Sequence, residues 1–178
     1  LSQSTADTCH TAVRLAIIAS SDSLFEAIEK LKKSFLAQAK ALCSIETVAR
    51  TCLQDAMPVF LGDTFAAWAA FLDRREQSYR SAVNTLHQIN LGGTVIGSGL
   101  GASPAYRSTV IGILEETVNR RLQLTQNPYD AAQNIDDLGD CSAQLCLLAQ
   151  GLIKIAKDIR LLASGPDCGF AELKLPAV

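Results

Sequence analysis

The sequence predicts an all-α protein, an elongated up-and-down helical bundle, on three observations. Apolar residues recur at steps of three and four residues through three segments. No stretch of alternating apolar and polar residues competes with these segments. With 178 residues, 48% of them hydrophobic, the chain is long and apolar enough to bury a sizeable core.

The first two helices are predicted from their apolar spacing. The first is expected over residues 8–42. The second follows Asp63, with Asp63 or Thr64 as its N-cap, and ends near Asn90, before a pair of glycines. The stripe of the first helix is Leu24, Ile28, Leu31, Phe35 and Leu42, and that of the second is Phe65, Trp68, Leu72, Tyr79, Val83 and Leu86.

The last helix has the most regular pattern. A shorter third helix, expected over residues 105–122, is separated from it by Asn127 and Pro128. The last helix is apolar on most of its circumference, so it should be buried on several sides. We therefore expect it to pack against other subunits in a homo-oligomer, the alternative being a monomer with this helix at its centre. Its seam is Leu138, Cys141, Leu145, Leu148, Leu152, Ile155, Ile159 and Leu162.

Charge and apolar patterning exclude several kinds of partner. The 16 basic and 18 acidic side chains form no block of like charge, so neither a nucleic-acid groove nor a basic membrane patch is expected. The longest apolar segment, residues 141–159, is interrupted by glutamines and lysines, which argues against a membrane span. No secretory signal is visible, and Leu1 is not a natural start residue, which leaves open a missing leader or domain.

The six cysteines are scattered without a CxxC pair, which predicts reduced thiols and a cytoplasmic protein. A zinc site would need His10 or His87 to converge with distant cysteines. No ligand spacing supports such a site, so no metal is expected. The cysteines are Cys9, Cys43, Cys52, Cys141, Cys146 and Cys168.

Three polar or glycine-rich clusters fall at ends of predicted helices: SQSTAD at residues 2–7, ARTCLQDAMP at 49–58 and LGGTVIGSGLG at 91–101. Ser4 and Thr5 offer hydroxyls beside the unpaired N–H groups of a helix N-terminus, which suits a carboxylate, although simple capping explains the same residues. The glycine stretch lacks the Walker lysine and follows no predicted strand, so a nucleotide site is not expected. Its glycines allow close backbone approach to another helix or to a small ligand.

These segments resemble a known family. SQSTAD followed by TAVRLA, TCLQDAMPVFLG, NLGGTVIGSGLG and KIAKDIRLLASGPDCGFAELKLPA are similar, in order and separation, to the signatures of the aspartase/fumarase superfamily. The resemblance implies that residues 1–178 are the central helical domain of a homotetramer whose active sites are built from three subunits. The N-terminal domain, the catalytic serine loop expected beyond Val178 and the C-terminal domain would lie outside this chain. No cofactor is expected.

The resemblance also implies a chemistry, the reversible anti elimination of a group from a succinyl-type substrate. Ser4, Thr5 and Thr51 match positions that bind substrate carboxylate, and Cys52 stands where the family has His or Gln. The Ser4-Thr5 pair and DLGDCSAQL favour L-aspartate, with fumarate and ammonia as products. Fumarate hydratase is the alternative enzyme, and a catalytically lapsed paralogue that serves as an oligomerisation module is the alternative from another class.

The sequence departs from the family pattern at four positions. Ala6 replaces an asparagine that contacts substrate, and Cys52 is a weak hydrogen-bonding partner. Gly101 replaces an asparagine and Asp167 an arginine. The four changes predict either an altered substrate or a loss of activity. A nucleophilic role for Cys52 is not expected, because the elimination needs none.

Overall fold

The computed structural model describes residues 3–176, and its long elements are helices, which confirms the all-α class. Each predicted helix is present, with ends shifted by a few residues. The helices are α1 (Thr5–Ala41), α2 (Leu61–Thr85), α3 (Pro104–Val118), the single turn α4 (Pro128–Ala131) and α5 (Asp136–Leu162). The strands are β1 (Glu46–Thr51), β2 (Gln54–Phe60), β3 (Gln88–Ile89) and β4 (Gln123–Leu124).

The connector between α1 and α2 is not irregular but a β-hairpin, so the expectation that no strand would form is wrong here. β1 and β2 pair antiparallel, with Thr51 opposite Gln54 and a bulge next to Ala49. The two-residue turn consists of Cys52 and Leu53, both with positive φ, 52° and 62°. Such turns normally contain Asn or Gly, and neither residue is present, so no local turn signal marks the hairpin.

The N-cap predicted for α2 is also wrong. Asp63 and Thr64 lie inside the first turn, because the helix begins at Leu61, directly after β2. The backbone N–H of Leu61 donates to the carbonyl of Ile45 at 2.8 Å, and that of Gly62 donates to the carbonyl of Leu42 at 3.1 Å. Carbonyls from the end of α1 thus satisfy donors that a side-chain cap would otherwise take.

The described residues form two compact units, to which α1, α2 and α5 all contribute. Unit 1 comprises the residues up to Ala27 together with Gln77–Ala143. Arg14, buried in α1, forms a bidentate ion pair with Asp137 at the start of α5, with its shortest distance 2.7 Å. The buried residues of unit 1 form two apolar clusters, Ile18, Tyr79, Val83, Leu86 and Cys141 in one and Ile89, Leu91 and Leu122 in the other.

Unit 2 comprises Ile28–Glu76 and the residues from Gln144 onward, and its core is aromatic. The rings of Phe65 and Trp68 lie 4.8 Å apart at their centroids, and Phe35 lies 5.6 Å from Trp68. α5 passes close to α2 at Gly151, where a Cβ atom would fall 1.9 Å from the ring of Phe71. A larger residue at this position would therefore force the Phe71 ring to move, whereas the backbone conformation makes no demand for glycine.

The predicted apolar stripes agree with burial to different degrees. All six residues of the stripe predicted for the second helix are buried, although the last of them, Leu86, lies just beyond the end of α2. On α5, Cys141, Leu148 and Ile155, at seven-residue spacing, are buried, whereas Leu145 of the same predicted seam is 38% exposed. Across the described residues, no helix combines the length and apolarity needed to cross a bilayer.

Candidate functional site

The start of α1 is a capping box formed by Ser4 and Asp7. The Ser4 hydroxyl accepts from the backbone N–H of Ala6 at 3.2 Å, and Asp7 Oδ1 accepts from the backbone N–H of Ser4 at 3.0 Å. The Ser4 carbonyl accepts from the backbone N–H of Thr8 at 2.9 Å. The first donors of the helix are thus satisfied reciprocally, as in other Ser-x-x-acid starts.

Asp7 joins this helix start to the glycine-rich loop. Its Oδ2 accepts from the backbone N–H of Gly92 at 3.2 Å and from that of Thr94 at 3.0 Å. The side chain of Asp7 is fully buried, so its carboxylate depends on these three backbone donors in place of water. The helix start and the loop, 85 residues apart in sequence, therefore meet at one carboxylate within unit 1.

Both interpretations of Ser4 are compatible with this geometry. Ser4 caps the helix as an acceptor, and no described residue accepts the hydrogen of its hydroxyl. That hydrogen therefore remains available to a ligand oxygen. Thr5, the first residue of α1, is exposed. Ser2, the first polar residue of the same segment, lies outside the described residues.

The glycine-rich loop packs against helices, one of the two roles considered for its glycines. A Cβ at Gly97 would fall 2.2 Å from the carbonyl of Pro128, the first residue of α4. The same loop holds Thr94 at φ 59°, a left-handed conformation that is unusual for a β-branched residue. Thr94 is buried, so its strained backbone is fixed by the surrounding structure.

Thr51 and Cys52 belong to unit 2 and lie at the tip of the β1–β2 hairpin. Both are exposed. The left-handed backbone at Cys52 and Leu53 costs about 1 kcal/mol or more for each residue, because their Cβ atoms crowd the following carbonyl. Unusual backbone of this kind is concentrated at functional sites in proteins. The structure thus places Ser4 and Thr5 in one unit and Thr51 and Cys52 in the other.

Arg50 holds the hairpin to the segment that follows α5. Its guanidinium contacts Glu172 at 2.6 Å and lies 4.0 Å above the ring of Phe170. The other carboxylate oxygen of Glu172 accepts from the hydroxyl of Thr47 in β1 at 2.8 Å. Arg50 and Glu172 are only 20% and 17% exposed, so the pair is partly shielded from solvent.

A cavity of about 690 Å³ lies in unit 2 beside this ion pair. The hairpin, the start of α2 and the end of α5 enclose it. Cys52 lines this cavity together with Lys154 and Asp158, which form an ion pair with each other at 2.5 Å. Its wall is mainly apolar, with charged groups at a few points, as is usual for small-molecule sites.

The six cysteines are free, and Cys141 is the buried one. Burial raises the pKa of the Cys141 thiol, and the nearby Asp137 and Asp140 carboxylates raise this pKa further. Cys52 is exposed, and the neighbouring guanidinium of Arg50 is paired with Glu172. Within residues 3–176, no group of three or more His, Cys, Asp or Glu side chains is arranged to hold a metal ion.

Three of the four positions that depart from the family pattern, Ala6, Gly101 and Asp167, are accommodated without distortion, whereas the fourth, Cys52, has a left-handed backbone. Ala6 donates its backbone N–H to the cap, a role that any residue except proline could take. Gly101 has φ 85°, and asparagine also tolerates positive φ better than most residues do. Asp167 is exposed in the segment after α5.

Two functional candidates were missed by the sequence interpretation, Asp7 and the Arg50–Glu172 pair. The Ser-x-x-Asp spacing at residues 4–7 is a visible capping signal, but it gives no indication that Asp7 also reaches the glycine loop. Nothing in the local sequence links Arg50 to Glu172, because the hairpin that aligns them was not predicted.

Comparison with known proteins supports the same family along the whole chain. The family model described as "Lyase" matches residues 1–178. Aspartate ammonia-lyase of Bacillus sp is 36% identical over 99% of this chain, and fumarate hydratase class II of Oceanobacillus iheyensis is 33% identical over 99% of it. The chain spans only 38% of the length of each of these two relatives.

Solved structures give the same result. A fumarate lyase:delta crystallin from Brucella melitensis, solved bound to cobalt, superposes on the whole chain with a TM-score of 0.96 at 38% identity. This chain covers 39% of that structure. A class II fumarase from Schistosoma mansoni, at 23% identity and a TM-score of 0.90, shares the fold. The family model, the relatives and the fold agree, and the chain belongs to the aspartase/fumarase superfamily of lyases.

Proposed function

We propose that this chain is the central helical domain, residues 1–178, of a lyase that converts L-aspartate to fumarate and ammonia. The observation that carries the proposal is the start of α1, where Ser4 caps the helix as an acceptor and keeps its hydroxyl hydrogen for a ligand. Thr5 adds an exposed hydroxyl next to it. The 36% identity to an aspartate ammonia-lyase supports a lyase of this superfamily, and the Ser4-Thr5 pair is what favours L-aspartate among its substrates.

The reaction places a specific demand on these residues. A base removes the proton from the carbon beside one carboxylate, the electron pair forms the C=C bond, and the C–N bond breaks to release ammonia. Negative charge accumulates on the carboxylate during proton removal, and each prearranged donor aimed at it is typically worth about 3 kcal/mol. We assign this donor role to Ser4, Thr5 and Thr51, with Cys52 beside the substrate, and we place the serine base beyond Val178.

We propose that the enzyme is a cytoplasmic homotetramer. Apolar side chains of α5 remain exposed in the single chain and would be covered by neighbouring subunits. The family resemblance implies active sites built from several subunits, and we propose that different subunits contribute the Ser4–Thr5 cluster and the Thr51–Cys52 cluster to one site. The exposed residues of α5 are Leu145 at 38%, Leu147 at 44%, Ile153 at 55% and Leu161 at 41%.

The proposal is tested by assaying the full-length protein with L-aspartate and with fumarate plus water. Release of ammonia and of one equivalent of fumarate is the expected result. The variant S4A should lose at least about 100-fold in kcat/KM, because it removes one donor aimed at developing charge. S20A is the matched control, since the Ser20 hydroxyl on the exposed side of α1 bonds only to the carbonyl of Ala16 among described residues.

Two other outcomes would replace the proposal. Formation of malate without ammonia release would identify a fumarate hydratase, which the 33% identity to such an enzyme favours. Absence of both activities would support a catalytically lapsed paralogue. This alternative is suggested by Ala6 and Cys52, which replace substrate-binding residues of the family pattern. In that case the double variant A6N/C52H should restore activity. If the unmodified protein is active and A6N/C52H is less active, the site is adapted to another substrate.

A further inference from the structure

Asp7 is the one fully buried carboxylate among the described residues, and the proposed chemistry does not use it. Its Oδ1 accepts from the backbone N–H of Ser4, and its Oδ2 accepts from those of Gly92 and Thr94. The backbone of Ser4 and the turn of the glycine loop are therefore held on opposite oxygens of a single carboxylate. A displacement of this side chain would move both segments.

We propose that Asp7 is a positioning residue for carboxylate recognition: it fixes Ser4 as a hydroxyl donor and holds the glycine-loop turn against the start of α1. This inference rests on the proposed function, because it takes a substrate carboxylate as the group that Ser4 recognises. Asp7 has no exposed surface, so it acts through Ser4 and the loop and does not itself contact substrate.

The loop side of this contact is held in a strained conformation. Thr94 has φ 59°, which L residues with a branched Cβ seldom adopt, and its N–H donates to Asp7 at 3.0 Å. The next bonds of the turn are between backbone groups, from Gly93 N–H to the Asn90 carbonyl at 2.9 Å and from Gly99 N–H to the Gly93 carbonyl at 2.8 Å. Asp7 is thus a side chain that holds the Thr94 N–H while Thr94 is in this left-handed conformation.

Asparagine at position 7 is nearly the same size but can satisfy only part of this arrangement. It offers one acceptor oxygen, and its NH₂ group must face either the Ser4 N–H or the two loop N–H groups, donor against donor. Glycine at position 94 would adopt positive φ without the penalty of a branched side chain. The substitution T94G should therefore compensate for part of what D7N loses.

The test measures binding of succinate, a dicarboxylate that cannot eliminate, to the full-length protein by calorimetry. D7N should weaken binding about tenfold or more, the effect of losing a charge-assisted hydrogen bond. D136N is the matched control. Asp136 carries the same charge in the first turn of α5 but is exposed, and its removal should leave succinate affinity unchanged.

The double variant D7N/T94G separates positioning from a general loss of stability. It should bind succinate several-fold more tightly than D7N, although removing the buried Thr94 side chain lowers its melting temperature further. Succinate affinity of D7N equal to that of the unmodified protein, or no recovery in D7N/T94G, would overturn the assignment of Asp7 alone. An unmodified protein that binds no succinate would overturn the proposed function together with it.

Discussion

The polar clusters of units 1 and 2 are held by different kinds of interaction. In unit 1, a fully buried carboxylate, Asp7, collects three backbone N–H groups. In unit 2, the hairpin is held by an ion pair between Arg50 and Glu172, each about one-fifth exposed. Backbone donors in a dry site cannot rearrange, whereas a partly exposed ion pair exchanges with water and salt. The polar cluster of unit 1 should therefore be more rigid than that of unit 2, and its stability should depend less on salt concentration.

The largest effect is expected from removing the buried carboxylate of Asp7, with Glu172 as the comparison. D7A leaves three buried N–H groups without an acceptor and should lower the free energy of unfolding by about 3–5 kcal/mol. E172A breaks a partly exposed pair and should cost about 1 kcal/mol. Denaturant unfolding followed by far-UV circular dichroism measures both values.

Salt provides the control for this pair of variants. Raising the ionic strength to about 1 M shortens the screening length to about 3 Å, which should reduce the effect of E172A and leave that of D7A unchanged. Equal losses for the two variants, or a D7A effect that salt reduces, would contradict the contrast between the clusters.

An intermediate effect is expected from glycines of α5, which runs through both units. G151A should lower stability by about 1–2 kcal/mol, because overpacking against Phe71 exceeds the gain in helix propensity. G139A, where a Cβ would meet nothing within 4 Å, should raise stability by up to about 1 kcal/mol. Trp68 is the single tryptophan of the chain and lies in unit 2, so its fluorescence reports unfolding around Gly151. A stabilising G151A would show that the ring of Phe71 moves aside freely.

The smallest effect concerns pH and the surface charges of unit 2. Lys32 contacts Glu29 at 2.6 Å, Asp73 at 3.1 Å and Glu76 at 3.3 Å. The hydrogen bond to Lys32 lowers the pKa of Glu29 below its ordinary value of 4.5. A lowered pKa means that this contribution is present above pH 4.5 and is lost as the pH falls through the folded-state pKa.

The same contacts, that with Glu29 foremost, raise the pKa of Lys32 above its ordinary value of 10.5. This contribution is complete below pH 10.5 and is lost at higher pH, as the lysine deprotonates in the folded protein. E29Q should therefore flatten the acid limb of a stability profile recorded by Trp68 fluorescence, by less than the E172A effect. An acid limb identical to that of the unmodified chain would show that Glu29 contributes nothing.

The helices could be predicted from sequence because their signal is local and periodic. The six apolar residues of the stripe predicted for the second helix, from Phe65 to Leu86, are all buried. The start of α2 was not predictable, since carbonyls of Leu42 and Ile45 replace the side-chain cap. The hairpin escaped prediction because its turn has no glycine or asparagine and Pro58 interrupts the second strand pattern.

The candidate site could be predicted only where its residues form a local sequence pattern or match a motif of a known family. Ser4, Thr5, Thr51 and Cys52 were selected by motif, and their roles in binding stay predictions. Asp7 carries a local capping signal, but its contacts with Gly92 and Thr94 require knowledge of the tertiary fold. The pairing of Arg50 with Glu172 spans more than a hundred residues and depends on the hairpin register.

At the turn formed by Cys52 and Leu53, the residues that would best stabilise the hairpin differ from those that the proposed substrate site uses. Asn-Gly at these two positions would relax the left-handed backbone and favour the hairpin. The same substitution would remove the side chain of Cys52, which lies at a proposed substrate contact. Selection of random variants for thermal stability alone should therefore favour Asn-Gly at positions 52 and 53, at the expense of substrate binding. At this turn, selection for stability and selection for activity favour different residues.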